Sequence, residues 1–152
     1  MKKKGIGFLL ILSMVLMLAA CGSKETEKRV FETETMGITT TITYYHEDDK
    51  VVKQTAENVV PYANLGISSE EEAKEIFDPE AEKFQGIDGI KQKITYSDSE
   101  AVETLEVDYE TLDFDEAGEL PGMMFDGNAK ENGVSMEKSA EMLLEQGFEE
   151  IE

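Results

Sequence analysis

A chain of 152 residues is long enough for one domain, and its 14 Lys+Arg against 34 Asp+Glu give a formal net charge of −20. That charge argues against nucleic acid, whose phosphates require a basic footprint, and against electrostatic binding to an anionic bilayer. One Cys, one His and one Arg exclude internal disulfides and thiolate or His-rich zinc sites, and leave Arg29 as the sole guanidinium for a phosphoryl group.

The chain opens with Lys2, Lys3 and Lys4, followed by the apolar run "GIGFLLILSMVLMLAA" from Gly5 to Ala20. A basic start, an apolar stretch and small residues before a cut make a signal-peptide pattern. The run is shorter than the ~20 residues a spanning helix requires. Leu18, Ala19, Ala20 and Cys21 match the lipobox of bacterial lipoproteins, which implies cleavage after Ala20 and a diacylglyceryl group on the Cys21 sulfur. Two acyl chains on one residue make membrane anchoring stable where one leaves it reversible. Loss of the three leading lysines takes the net charge from −20 to −23. The expected organisation is a signal peptide over 1–20, the lipidated cysteine and a polar tether over 21–29, and one domain over 30–152. The eight residues "GSKETEKR" reach at most about 26–29 Å. Gly22 and the acidic composition favour a Gram-positive surface.

Residues 30–36 have room for a strand. In "ITTTITYY" (38–45), Ile38, Ile42 and Tyr44 fall on one face and Thr39, Thr41 and Thr43 on the other, the period of a half-buried strand. "HEDD" (46–49) reads as a turn, and 50–60 as the return strand, stopped by Pro61. Ser69 with Glu72 predicts a capping box, and Glu70, Glu71 and Glu72 suit the helix dipole. The stripe Ala73, Ile76, Phe77, Ala81 and Phe84 predicts a helix that Pro79 splits, with Asp78 capping the second piece.

A second hairpin follows, with "IKQKITYSD" (90–98) and "AVETLEVDY" (101–109) as strands; Leu105, Val107 and Tyr109 point inward and Glu106, Asp108 and Glu110 outward. A last helix starts at Ser135, carries Met136, Ala140, Leu143 and Leu144, and stops at Gly147, with Phe148 supplying the contact after a glycine stop. "ITYY" (42–45) answers "ITYS" (94–97), and "ISSEEEAKEIF" (67–77) answers "VSMEKSAEMLL" (134–144). The fold class expected is α+β: an antiparallel sheet from two hairpin–helix (ββα) units with two helices packed on one face.

The lipobox, "ITYYHEDDKVVKQ", "GISSEEEAKEI", "KITYSD" and "GVSMEKSAEMLLEQGF" resemble, in that order, the YehR-like family of small bacterial lipoproteins. The resemblance covers nearly all of the mature chain. It implies an anchored α+β domain of unassigned function and brings no catalytic, cofactor or ligand residues.

His46, beside Glu47, Asp48 and Asp49, reads as part of a solvated hairpin tip rather than a cation site or pH-sensitive turn. "DFDEAGE" (113–119) places Asp113, Asp115 and Gly118 as a calcium loop does, but Ala117 and Met124 stand where oxygen ligands are required. The 119–133 segment "ELPGMMFDGNAKENG" breaks the repeat. Its Leu120, Met123, Met124 and Phe125 suit an adaptable binding surface or a cap on the core. The five tyrosines read as sheet residues. No nucleophile–base pair is evident. The leading expectation is a non-enzymatic binding or interaction module without a cofactor or resident metal. It is held to the membrane through Cys21 and contacts an envelope protein or small ligand through the open sheet face or the 119–125 loop. The rivals are an envelope hydrolase using carboxylates and a weak surface binder of divalent cations.

Overall fold

The computed structural model describes residues 25–151 apart from Met124, Asp126 and Gly127. The signal segment and the lipobox residues Leu18, Ala19, Ala20 and Cys21 therefore lie outside the described residues. Among those described, no helix is long and apolar enough to cross a membrane.

Alternating β-branched and polar residues build long antiparallel strands. β1 (Glu27–Thr35), β2 (Ile38–Glu47) and β3 (Lys50–Pro61) form a meander. β4 (Ile90–Tyr96) and β5 (Glu100–Asp108) form the second hairpin, and β3 pairs antiparallel with β5. Two short strands complete a sheet ordered β4-β5-β3-β2-β1-β7: β6 (Val134–Ser135) on the start of β3, and β7 (Glu149–Glu150) on β1. β1 starts at Glu27, paired with His46, so residues 27–29 belong to the sheet and not to the tether. What separates Cys21 from the domain is five residues.

The helices lie on one face, as the fold class requires. α1 (Tyr62–Leu65) and α2 (Glu70–Ala81) follow β3; α3 (Phe114–Ala117), α4 (Ala129–Asn132) and α5 (Met136–Glu145) follow β5. Each long helix crosses onto the other unit's hairpin. α2 brings Ala73 and Phe77 onto Ile94, Tyr96 and Ala101. α5 brings Met136, Ala140 and Leu143 onto Phe31, Tyr44 and Val51. Residues paired across strands share a face, so Thr41, Thr43, Thr55, Glu57, Thr104, Glu106, Lys91 and Lys93 lie on the opposite side. They line an open concavity of about 520 Å³.

Several local expectations change. α2 runs unbroken through Pro79 and ends in a 3₁₀ turn over Glu82–Phe84. Pro79 forfeits the N–H bond to the Glu75 carbonyl, and the packed face of Ala73 and Phe77 keeps the helix continuous across it. Asp78 does not recap; its carboxylate accepts from the Tyr96 hydroxyl at 2.6 Å. The capping box forms with Ser69 accepting from Glu72 N–H, while the Glu72 carboxylate reaches Ser68 N–H at 2.8 Å. Ile76 and Leu144 are 47% and 50% exposed, outside the apolar stripes assigned to them. Tyr62 belongs to α1 rather than to a strand.

The first hairpin turn is tighter than expected. β2 runs on to Glu47, so His46 continues the inward face of Ile42 and Tyr44, and an extra residue on β3 between Val51 and Lys53 brings Val51 opposite it. His46 is 8% exposed, not a solvated tip, and its Nδ1 lies 2.7 Å from the Asp48 carbonyl. Asp49 reaches across to α5. Its carboxylate accepts from Ser135 Oγ and Glu137 N–H, both at 2.8 Å, and its carbonyl accepts from Met136 N–H.

Candidate functional site

The segment that breaks the repeat decides where the site is. After β5, Asp113 caps α3, its Oδ1 accepting from Asp115 N–H and Glu116 N–H. The carboxylate of the calcium-like motif is thus committed to a helix start. Leu120 is buried with Ile90, Val107, Leu112 and Ala117, and Met123 and Phe125 pack half-buried against that cluster. Phe125 meets Phe114 and Tyr109 edge-on, at centroid distances of 5.2 and 6.4 Å. Of the four residues proposed for a binding loop, Leu120 is thus a core residue. Met123 and Phe125 form a cap, and Met124 lies outside the described residues.

The cap does not fill all the space beneath it. A cavity of about 130 Å³ lies between the sheet, α5 and the residues Gly122, Met123 and Phe125. Ile42, Met123, Phe125, Met142, Leu143 and Phe148 give it apolar walls. One end is polar and already bonded. The Tyr109 hydroxyl donates to Gln54 Oε1 at 2.7 Å. Ser139 donates to the Ser135 carbonyl at 2.7 Å, and its hydroxyl lies beside the Tyr44 phenol. Burial pushes the Tyr44 phenol up to about 12 against the opposing Ser139 bond, and pushes Tyr109 up as well, with Tyr44 nearby adding to the shift. Both therefore stay neutral around pH 7, and the cavity presents no formal charge from its tyrosines.

Two adjoining spaces lead outward along α5. The first, about 90 Å³, shares Phe125, Val134, Ser139 and Met142 with the cavity and adds Ala129, Ser135 and Lys138. The second is an open mouth of about 450 Å³ that shares Val134, Ser135 and Lys138 with the first. Its rim carries Glu47, Asp48, Asp49 and Lys50 from the first hairpin turn, and Asn128 and Asn132 from the segment before α5. The three spaces share walls, and their lining grades from charged at the outer one to apolar at the inner one. Met123 and Phe125 are legible in the sequence as apolar loop residues. Tyr44, Gln54, Ser139 and Met142 are not, because strand and helix periodicity accounts for each as packing.

A smaller cleft of about 120 Å³ lies under α2, lined by Val60, Phe77, Glu80, Ala81, Ile94, Ala101 and Glu103. Glu103 accepts from Asn58 Nδ2 and Gln92 Nε2 at 2.9 and 2.8 Å, inside a ladder that continues to Thr40. This cleft faces the end of the sheet remote from Glu27 and has two carboxylates on its wall. Among the described residues no group of three or more His, Cys, Asp or Glu is arranged to hold a metal ion.

Comparison with known proteins adds lineage. Residues 26–149 match the family model described as Protein of unknown function (DUF1307). An uncharacterized lipoprotein of Listeria monocytogenes is 45% identical over 151 residues, 99% of this chain and 97% of that protein. The uncharacterized lipoprotein YehR of Escherichia coli is 32% identical over 146 residues, 95% of each. The NMR structure of E. coli YehR aligns with a TM-score of 0.75 at 28% identity, covering 86% of this chain and 94% of that one. The NMR structure of a protein from Streptococcus pneumoniae TIGR4, at 16% identity and a TM-score of 0.61, covers 99% of each chain and shares the fold.

Proposed function

The chain belongs to this DUF1307 family, with relatives named as lipoproteins, and from that premise we propose a lipid-anchored, non-enzymatic binding module of the extracytoplasmic membrane face. The anchor is the diacylglyceryl group on Cys21, and the domain binds a small, largely apolar ligand in the cavity beneath Met123 and Phe125. The observation that carries the reading is the cavity itself, apolar on its walls and closed by neutral groups that bond one another. A dry apolar void of about 150 Å³ is sufficient for a benzene-sized guest. The Tyr109 hydroxyl, Gln54 Oε1 and the Ser139 hydroxyl are engaged in hydrogen bonds, which supports recognition over turnover.

Two measurements test the two halves. Cys21→Ala should leave the membrane fraction or accumulate unprocessed; a variant that stays membrane-bound at unchanged mass removes the anchor. For the cavity, the anchored protein in nanodiscs is titrated with benzyl alcohol while methionine methyl resonances are followed. Met123 and Met142 should shift saturably, and Met142→Trp, which fills the space, should abolish the shift. Flat Met123 and Met142 signals in the folded protein sink the cavity reading.

A further inference from the structure

We infer that the ligand is a single-chain zwitterionic amphiphile drawn from the membrane, its head held at the charged mouth and its tail in the cavity. The inference rests on the proposed cavity and on the Cys21 anchor, and adds the ligand's class and its route.

Position supplies the route. Glu27 pairs with His46, and Lys50 with Ser135. The start of the domain, the first hairpin turn and the N-terminus of α5 therefore share one end of the sheet. Five residues separate Cys21 from Glu27 and span at most about 16–18 Å. The mouth lined by Glu47, Lys50, Asn132 and Lys138 thus stands at the end held to the bilayer. The 120 Å³ cleft under α2 stands at the other end.

Chemistry supplies the class. The mouth carries both signs of charge, Glu47 and Asp48 with Lys50 and Lys138, and Asn128 and Asn132 add amides, while the Asp49 carboxylate on its wall is held by the Ser135 hydroxyl and the Glu137 N–H. A head with a phosphate and an ammonium complements both signs, whereas a purely anionic head meets Glu47 and Asp48 as well as the lysines. Inward of the mouth the lining turns to Ala129, Val134, Phe125 and Met142, the environment of a hydrocarbon chain. The narrow volumes, about 90 and 130 Å³, suit one short chain rather than two.

The test uses the processed, anchored protein in phosphatidylglycerol nanodiscs. The probes are decyl phosphocholine, decanol and decyl sulfate, each partitioned into the same bilayer. The methyl signals of Met123 and Met142 should saturate with the phosphocholine at a membrane mole fraction at least tenfold below that for decanol or decyl sulfate. Because each probe's tail is already out of water in the bilayer, shortening it from decyl to octyl should change the saturating mole fraction by less than about fourfold. Lys50→Glu should erase the tenfold preference and leave decanol binding unchanged, and Met142→Trp should abolish all of it. Equal binding of decanol and decyl phosphocholine overturns the zwitterionic class and leaves the cavity reading standing. No response to any chain, with none to benzyl alcohol, overturns both. Binding by a Cys21→Ala protein in bilayer-free solution as tight as by the anchored form overturns the membrane route alone.

Discussion

The two hairpin–helix units are built alike but held differently. α2 starts on its own capping box, crosses Pro79, and is tied to the sheet by Phe77 and the Tyr96–Asp78 hydrogen bond. α5 is fixed at both ends by groups distant in sequence or by a formed glycine stop. Asp49 clasps its N-terminus. At the other end Phe148 N–H bonds the Leu143 carbonyl and Gly147 N–H the Leu144 carbonyl, with Gly147 at φ +90°. The unit with the firmer helix is also the one whose insertion leaves a cavity. A void lined by side chains on rigid elements keeps its shape, and a preorganised pocket costs less to occupy. The α2 unit is scaffold; the α5 unit carries the site.

The largest expected effect breaks that difference at its core. Phe31 is fully buried beneath α5 and packs edge-on to Tyr44 at 6.1 Å. Phe31→Ala should lower unfolding free energy by about 3–5 kcal/mol. Phe77→Ala, at a half-buried site under α2, should cost roughly 1.5–3 kcal/mol. Denaturant melts of both variants give the order. Equal losses dissolve the distinction between the units, and a larger loss at Phe77 reverses it.

Much of this architecture was legible because it is local. The alternation of "ITTTITYY", the Ser69–Glu72 box and the Gly147 stop each depend on residues within a few positions of one another, and all three form. Pro79 was over-read: it costs its own bond to the Glu75 carbonyl, and the packing of Ala73 and Phe77 on Ile94, Tyr96 and Ala101 holds the helix continuous through it. His46 was missed because the strand was ended at Tyr45: carried two residues further, the alternation of Ile42 and Tyr44 puts His46 on the inward face. The Asp49 clasp joins residues 86 and 88 positions apart, beyond any local pattern. The site was half legible. Met123 and Phe125 announced themselves as apolar residues in a loop, but the space beneath them is set by how far α5 stands from Tyr44 and Gln54, which no spacing encodes.

A middle-sized effect targets the clasp. Asp49→Ala removes the acceptor for Ser135 Oγ and Glu137 N–H and should cost about 1–2 kcal/mol, the range for losing a helix cap. Hydrogen exchange should locate the loss. Amides in the first turn of α5 should exchange faster, while those of α2 keep their protection. Uniform acceleration across both helices means that the clasp serves the whole fold and not one unit.

The smallest effect concerns acid, and its sign follows from the same bonds. The N–H of Glu137 and the hydroxyl of Ser135, with nearby His46 adding a lesser attraction, hold the Asp49 carboxyl below its ordinary 3.8. A depressed carboxylate binds its proton more readily in the unfolded chain. Its stabilisation is therefore complete above about pH 4–5 and fades as pH falls through the lower folded value. Asp49→Asn retains an acceptor oxygen for the cap but cannot titrate. Melts of both proteins between pH 6 and pH 2 should accordingly converge at the acid end, with the wild type ahead only above the carboxylate range. Glu150 and Glu106 are also held low, by Arg29 and by Lys53 with Lys91, and both remain in the variant. Their contribution cancels in the difference, so a gap that persists unchanged to pH 2 removes Asp49 ionisation as the source of the clasp's strength.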